Sequence, residues 1–425
     1  MRSTFAGLLL LYSVVQLCIA DDLRSGESSN SMEKEKIHSH ILRQSRPHLS
    51  SRKDIQKLFR VGHDYIHEVM FVIKQRNMDV LTNILHDLSD PQSSNYGHHW
   101  TREEVADFTS NPEARDAVVS YLHSNGASIF SESLAGDYIK AKASIKVWEK
   151  MFNTEFFLYR GKSVGDVVRA EEYWLPKELD MHVTAVLQIV NMPIISPALK
   201  SYPLKIETDE SKKSISALDW TQYRSDRRGY TTPWLIRKYY NMSFTTEGSA
   251  KSTQAIFSKY SQRFSPTNLK VFQTDLMQLS MRPVNISRYN SSNDALCTAM
   301  GVCDEGNLDT QYLMSTSSFS PTTFWYTHEM FSGFLFEVAN TVKHPLILTI
   351  SWGAPEKYID TEDHQSFTEQ AIKLGTMGVT IFASSGDSGA NYRGCGYTPI
   401  FPASNPYVTS VGGTAVSTLM VFISF

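Results

Sequence analysis

The chain has 425 residues, 41% of them hydrophobic and 20% charged. That is long enough for two or three domains with their own cores and too apolar for wholesale disorder. The formal net charge of -3 leaves no basic excess, which argues against a nucleic-acid partner.

Residues 1–20 stand apart from the rest. Arg2 gives a positive start, an apolar run begins at Leu8, and Cys18-Ile19-Ala20 offers small residues suited to signal peptidase. The run is short for a bilayer, so a cleaved secretory signal is expected, and no membrane span. Three Asn-x-Ser sequons at Asn241, Asn285 and Asn290 fit the secretory pathway. Removing the signal leaves Cys297, Cys303 and Cys395. The number is odd for an oxidising compartment, so one thiol is free or lacks its partner.

Residues 21–53 are polar and charged, and a loose segment is expected there. Mixed strand and helix patterns follow to about residue 199: a strand over 68–73, a helix over 79–88, one or two helices over 102–125, and a half-buried strand over 182–190. Residues 21–200 are therefore expected to form one α+β domain. Residues 201–230 are rich in Lys, Ser, Asp and Arg, and Arg224, Arg227 and Arg228 make them an expected processing linker. After Pro233 the pattern changes. Residues 345–350 and 378–383 read as buried parallel strands with a helix over 362–374 between them. Residues 231–425 are thus expected to form a doubly wound α/β layer.

Two stretches carry candidate chemistry. The first is Glu305-Gly306-Asn307-Leu308-Asp309-Thr310-Gln311-Tyr312-Leu313. A Glu and an Asp four apart on a helix are ordinarily a solvated face. Here helical spacing places Glu305 and Asp309 between Leu308 and Tyr312 on one side and Leu313 on the other, with Asn307, Thr310 and Gln311 elsewhere. Two carboxyls on an apolar face are expected to share a proton, which suits general acid/base work. The second is Ser384-Ser385-Gly386-Asp387-Ser388-Gly389. It follows a buried strand, where α/β folds place their ligands, although a Gly-rich turn with Asp387 bonding its own backbone is the plainer reading. Gly386-Asp387-Ser388-Gly389 also looks like a trypsin-type nucleophile motif, but strands alternating with helices exclude that double-barrel fold. His98 and His99 show no metal-ligand spacing and are expected at the surface. Phosphate-binding loops are absent.

With these residues set out, the chain resembles the sedolisin family of serine-carboxyl peptidases, and within it the tripeptidyl peptidases. Leu88-Ser89-Asp90-Pro91 and Tyr96-Gly97-His98-His99-Trp100-Thr101-Arg102-Glu103-Glu104-Val105 are similar to that family's activation-domain signature. Thr232-Pro233-Trp234-Leu235-Ile236-Arg237-Lys238-Tyr239-Tyr240-Asn241 resembles the opening of the mature enzyme. Residues 305–314, 378–390 and 401–414 match in order and spacing. The resemblance implies a subtilisin-like sheet behind an activation domain that is its intramolecular partner. It also implies a peptide or protein substrate, with Glu305 as general base, Asp309 as its partner and Asp387 as oxyanion donor. It places the nucleophile in a Gly-Thr-Ser-Ala-Ser-type motif well beyond Asp387, and calcium ligands further on. It pairs Cys395 with a cysteine in that same later region. Ser417 lacks the motif and is not assigned the role. The 425 residues are therefore expected to form an incomplete catalytic domain, inactive by itself, with no nucleophile or metal of its own. A pseudopeptidase, or an activation-domain inhibitor of related peptidases, is the alternative.

Overall fold

Two larger sheets organise the chain, and each takes its two faces from the alternation of side chains along its strands. The structure is a computed structural model. It describes residues 40–45, 55–161, 165–192, 233–243, 248–259, 262–276, 284–287, 292, 294–300, 303–317, 319–387, 389–390, 397–416 and 422–424. The expected signal (1–20) and linker (201–230), with Asn290, Ser388, Cys395 and Ser417, lie outside these residues.

The first part contains β1 (His40–Ser45), β2 (Ile55–Arg60), β3 (Ile66–Ile73), β4 (Ser128–Glu132), β5 (Tyr138–Ser144), β6 (Phe156–Gly161), β7 (Gly165–Ala170), β8 (Glu172–Pro176) and β9 (Val183–Leu187). Its main sheet is antiparallel in the order β4-β5-β3-β9. The strand and helix expected over 68–73 and 79–88 are β3 and the helix Met78–Ser89. The segment 102–125 is two helices, Arg102–Thr109 and Pro112–Ser124. Thr101 and Glu104 form a capping box on the first, and Pro112 at the start of the second fixes the break. One expectation is corrected: residues 40–45, placed in the loose polar segment, form β1, paired antiparallel with β8. Register with a buried partner strand overrides the polar composition, and Arg43 anchors it through Asp180 at 3.0 Å and Glu362 at 2.9 Å.

The second part contains β10 (Gln254–Ser258), β11 (Val284–Ser287), β12 (Thr322–Tyr326), β13 (Ile347–Ile350), β14 (Ala354–Pro355), β15 (Thr380–Ser384), β16 (Ile400–Phe401), β17 (Thr409–Val411) and the hairpin β18 (Thr414–Val416) with β19 (Phe422–Ser424). Six of these form one all-parallel sheet in the order β11-β12-β10-β13-β15-β17. Helices cover both faces. Ala255, Phe257, Trp325, Leu348, Ile350, Ile381 and Ala383 pack under helices Phe331–Ala339 and Thr361–Thr376, where Phe334, Phe367 and Ala371 meet them. Ile256, Phe324 and Tyr326 face the other way, against Leu269 and Met314. This is the expected doubly wound arrangement, preceded by an α+β domain. The strand order reverses at β10, so a crevice is expected at the carboxyl ends of the central strands.

The two parts share a core. Leu81, Leu85 and Val105 of the first domain complete the cluster around Phe331 and Phe334. Met70, Val72, Ala185 and Leu187 leave their own sheet to meet Phe336, on which Tyr138 stacks with ring centroids 4.2 Å apart. That explains why Val69-Met70-Phe71-Val72-Ile73 is apolar without alternation: both faces of β3 are buried. Polar bonds fix the register. Asp137 accepts from Lys373 at 2.6 Å and from Gln370 at 2.9 Å. Glu329 bridges Lys140 and Gln188. Burial alone would raise Asp137, yet the Lys373 ammonium and the hydrogen bonds hold it below the ordinary carboxylate range.

A buried pair stabilises little by itself, but halving one is costly. Asp137→Asn should lower the unfolding free energy by about 3 kcal/mol, and adding Lys373→Met should restore much of it. Denaturant unfolding of the two variants checks this, and a single variant as stable as the parent would refute the pair's role.

Candidate functional site

The helix Asp304–Thr316 carries the first candidate carboxyls. Its N-terminal end is tethered by the disulfide Cys297–Cys303. That bridge pairs two of the three cysteines outside the signal and leaves Cys395 as the remaining one. The helix seats itself through Gly306: a Cβ there would lie 2.1 Å from the Arg263 carbonyl oxygen and 3.2 Å from the Phe324 ring. Thr310 is fully buried one turn on and donates to the Gly306 carbonyl, and Met314 continues the row into the core.

This arrangement corrects the expected helix face. Leu308, placed on the apolar side, is 48% exposed, whereas Thr310 is 0% exposed. The buried stripe runs through Gly306, Thr310 and Met314 because small residues let the helix press against a neighbouring backbone. Glu305 and Asp309 sit half-buried at the stripe's edge, not at its centre. Their helical spacing still puts them one above the other, with Cβ atoms about 5–6 Å apart.

The second stretch arrives from β15. Ser385 bonds its N–H to the Val411 carbonyl at 2.9 Å, and Gly386 turns the chain with φ +92°. A side chain at that φ would be strained, so glycine is what lets Asp387 leave the strand end at this angle. Asp387 is exposed. Its charge acts on Glu305, so the fold brings the three expected carboxyls into one electrostatic site. Burial pushes Glu305 up to about 7, helped by Asp387 and Asp304. Burial also pushes Asp309 up to about 8, with the Glu305 charge adding and the Ser351 hydroxyl opposing. The pair therefore favours its protonated forms, as two like charges in a partly desolvated place must.

Sequence reasoning missed Ser351, whose Oγ donates to Asp309 Oδ1 at 2.9 Å. It follows β13 directly, and the carboxyl end of a buried strand was the signal that could have flagged it. Gly306 was given no role from the sequence. His98 and His99 are exposed as expected. Asn241 and Asn285 are also exposed. Among the described residues no cluster of His, Cys, Asp or Glu could hold a metal ion, and no helix is long and apolar enough to cross a membrane.

Comparison with known proteins bears on both halves. Residues 53–192 match the family model of the pro-kumamolisin activation domain. Curated relatives extend over most of the chain. Tripeptidyl-peptidase 1 of Dictyostelium discoideum is 28% identical over 379 residues, covering 81% of this chain and 61% of that protein. Physarolisin of Physarum polycephalum is 26% identical over 386 residues, covering 85% and 62%. Tripeptidyl-peptidase 1 of Homo sapiens is 29% identical over 365 residues, covering 81% and 61%. The chain spans about three-fifths of the length of these relatives. An activation domain of this family type thus precedes the parallel sheet. The chain carries an activation domain of the pro-kumamolisin type over residues 53–192 and is similar over most of its length to tripeptidyl-peptidase 1 and physarolisin.

The raised pair has a signed consequence for stability. Both folded values lie above the ordinary carboxyl range near 4, so the contribution is complete below that range. It is lost as pH rises through about 7 and 8. Glu305→Gln and Asp309→Asn mimic the protonated acids. Each should flatten the loss of stability between pH 5 and 8, by on the order of 2 kcal/mol after discounting for partial exposure. Melting temperatures across that range, taken as differences from the parent, measure it, and a pH-independent difference would refute the raised values.

Gly306→Ala should also be costly, since the atom it meets is backbone and cannot swing aside. Overpacking typically costs about 1–3 kcal/mol. Thermal unfolding measures it, and a variant as stable as the parent would mean the helix does not press on Arg263.

Proposed function

We propose that these residues form the activation domain and the carboxylate half of an acid-acting serine-carboxyl peptidase of the tripeptidyl-peptidase type, with peptides or proteins as substrate. The observation that carries the reading is the pairing of Glu305 and Asp309 one turn apart, in electrostatic contact with Asp387 at the carboxyl end of β15. In this reading Glu305 takes the proton of a serine nucleophile, and Asp309 holds the partner proton of the pair. Asp387 donates a hydrogen bond to the developing oxyanion. An oxyanion donor of this kind must carry a proton, which favours work in acid.

Residues 1–20 act as the secretory signal, 21–200 as the activation domain and 201–230 as the processed linker, ahead of a catalytic part from 231. The Cys297–Cys303 bridge and the exposed sequons at Asn241 and Asn285 support passage through an oxidising, glycosylating compartment to the lysosome or cell exterior. No serine within residues 1–425 stands in a Gly-Thr-Ser-Ala-Ser-type motif, and no residue is assigned to calcium.

A second reading, inhibition of related peptidases by the activation domain, is supported by that domain's separate core around Phe71, Trp148 and Phe152. Transcripts of the gene should be sequenced for an in-frame Gly-Thr-Ser motif and the encoded protein assayed from pH 3 to 7. The expected result is acidic turnover, abolished by Glu305→Gln and reduced about 100- to 1000-fold by Asp387→Asn. The 425 residues alone should show none. Full activity in Glu305→Gln would overturn the base assignment, and turnover of the 425 residues that is lost in Ser417→Ala would identify Ser417 as the nucleophile.

A further inference from the structure

The helix that presents Glu305 and Asp309 has two acidic residues in its first turn and no basic residue in its last. Acidic residues suit a helix N-terminus, and a cation suits the C-terminal end, where the final carbonyls lack partners within the helix. That cation comes from elsewhere in the chain. Arg237, in the helix Pro233–Tyr239, is 7% exposed. Its Nη2 donates to the carbonyls of Ser315 at 2.9 Å and Thr316 at 3.2 Å, and its Nη1 donates to the Ser243 carbonyl at 2.7 Å. The planar fork of a guanidinium serves several fixed acceptors at once, which a lysine ammonium does less well.

The site helix is therefore gripped at both ends: by Gly306 against the Arg263 carbonyl, and by Arg237 against its last two carbonyls. A helix of 13 residues is about 20 Å long and moves as one body. Slack at one end is thus felt at the other.

We infer that Arg237 is a positioning residue for the Glu305–Asp309 pair, acting through the C-terminal end of their helix. The inference rests on the reading of that pair given above. It also ties the site to processing, because Arg237 lies just beyond the expected linker. A cut within residues 201–232 leaves the cap in place, whereas a chain trimmed past residue 237 loses it.

The test is a carboxyl-carbon NMR titration of the 425-residue protein, with Glu305→Gln and Asp309→Asn used for assignment. In Arg237→Ala both midpoints should move toward ordinary carboxyl values by about one unit as water reaches the loosened helix. Added guanidinium should restore them, and Arg237→Lys should fall between. The buried Asp137 should not move. Shifted midpoints that guanidinium restores support the inference. A folded Arg237→Ala with parental midpoints overturns it; if that variant does not fold, parental midpoints in Arg237→Lys overturn it instead. Ordinary midpoints in the parent would sink the reading of the pair itself, a different result from elevated midpoints that Arg237 does not influence.

Discussion

Two carboxyl groups one helical turn apart cannot both be charged cheaply once protein displaces their water, and the second half of this chain is built around holding them there. The parallel sheet supplies the platform, and Gly306 lets the site helix approach it by removing a single Cβ. From the sheet's carboxyl edge, β13 delivers Ser351 to Asp309, and β15 delivers Asp387 through a glycine turn. Each device is local and small. Their shared effect is to keep Glu305 and Asp309 near neutrality, where a proton can be passed instead of permanently held or lost.

Acid acts on the two halves in opposite senses. The site pair is favoured as pH falls, because its folded values are raised. The activation domain bears the reverse sign. Burial lowers His67 to about 4, with the Arg169 charge adding and the Gln188 carbonyl opposing, so its stabilising contribution erodes as pH drops below the ordinary histidine range near 6.5. Of the interface carboxyls, Asp137 and Glu329 follow the same direction, whereas burial raises Glu362 and Glu369. Burial would raise Glu329, but Lys140, Lys259 and Gln188 hold it low, and protonating it removes their partner. His67 is linked to that interface through one residue: its ring bonds the Gln188 carbonyl at 2.8 Å, while the Gln188 amide donates to Glu329 at 3.0 Å. Acid therefore removes the ion pairs of Asp137 and Glu329 between the halves while it favours the protonated site.

Much of this was legible from the residues. The βαβ alternation around residues 345–383 and the helical character of residues 102–125 follow from periodicity, which needs no tertiary knowledge, although one helix or two was left open. Counting alone showed that the cysteines outside the signal are odd in number, although not which one lacks a partner. What stayed hidden depended on contacts between distant segments. β1 was invisible because its polar sequence is strand only by pairing with β8. The true buried face of the site helix was misjudged because a hydrophobic pattern cannot show that a glycine and a threonine will be buried while Leu308 is left outside. Ser351 and Arg237 were hidden for the same reason: each meets the site helix across the fold, at a sequence separation of 42 for Ser351 and Asp309 and of 78 for Arg237 and Ser315.

The shared core between the halves explains why β3 is apolar without alternation in a segment expected to be removed. Met70, Val72 and Leu187 would be surface residues of an isolated domain, yet they bury against Phe336. Apolar contact of this kind does not change sign with pH. The ion pairs set into it do. A boundary made of both can stay closed when its carboxylates are ionised and lose part of its hold when they are protonated, without any rearrangement of the hydrophobic surface. Protonation of the site pair and loss of the boundary's ion pairs thereby depend on the same variable, through different residues: Glu305 and Asp309 on one side, His67, Asp137 and Glu329 on the other.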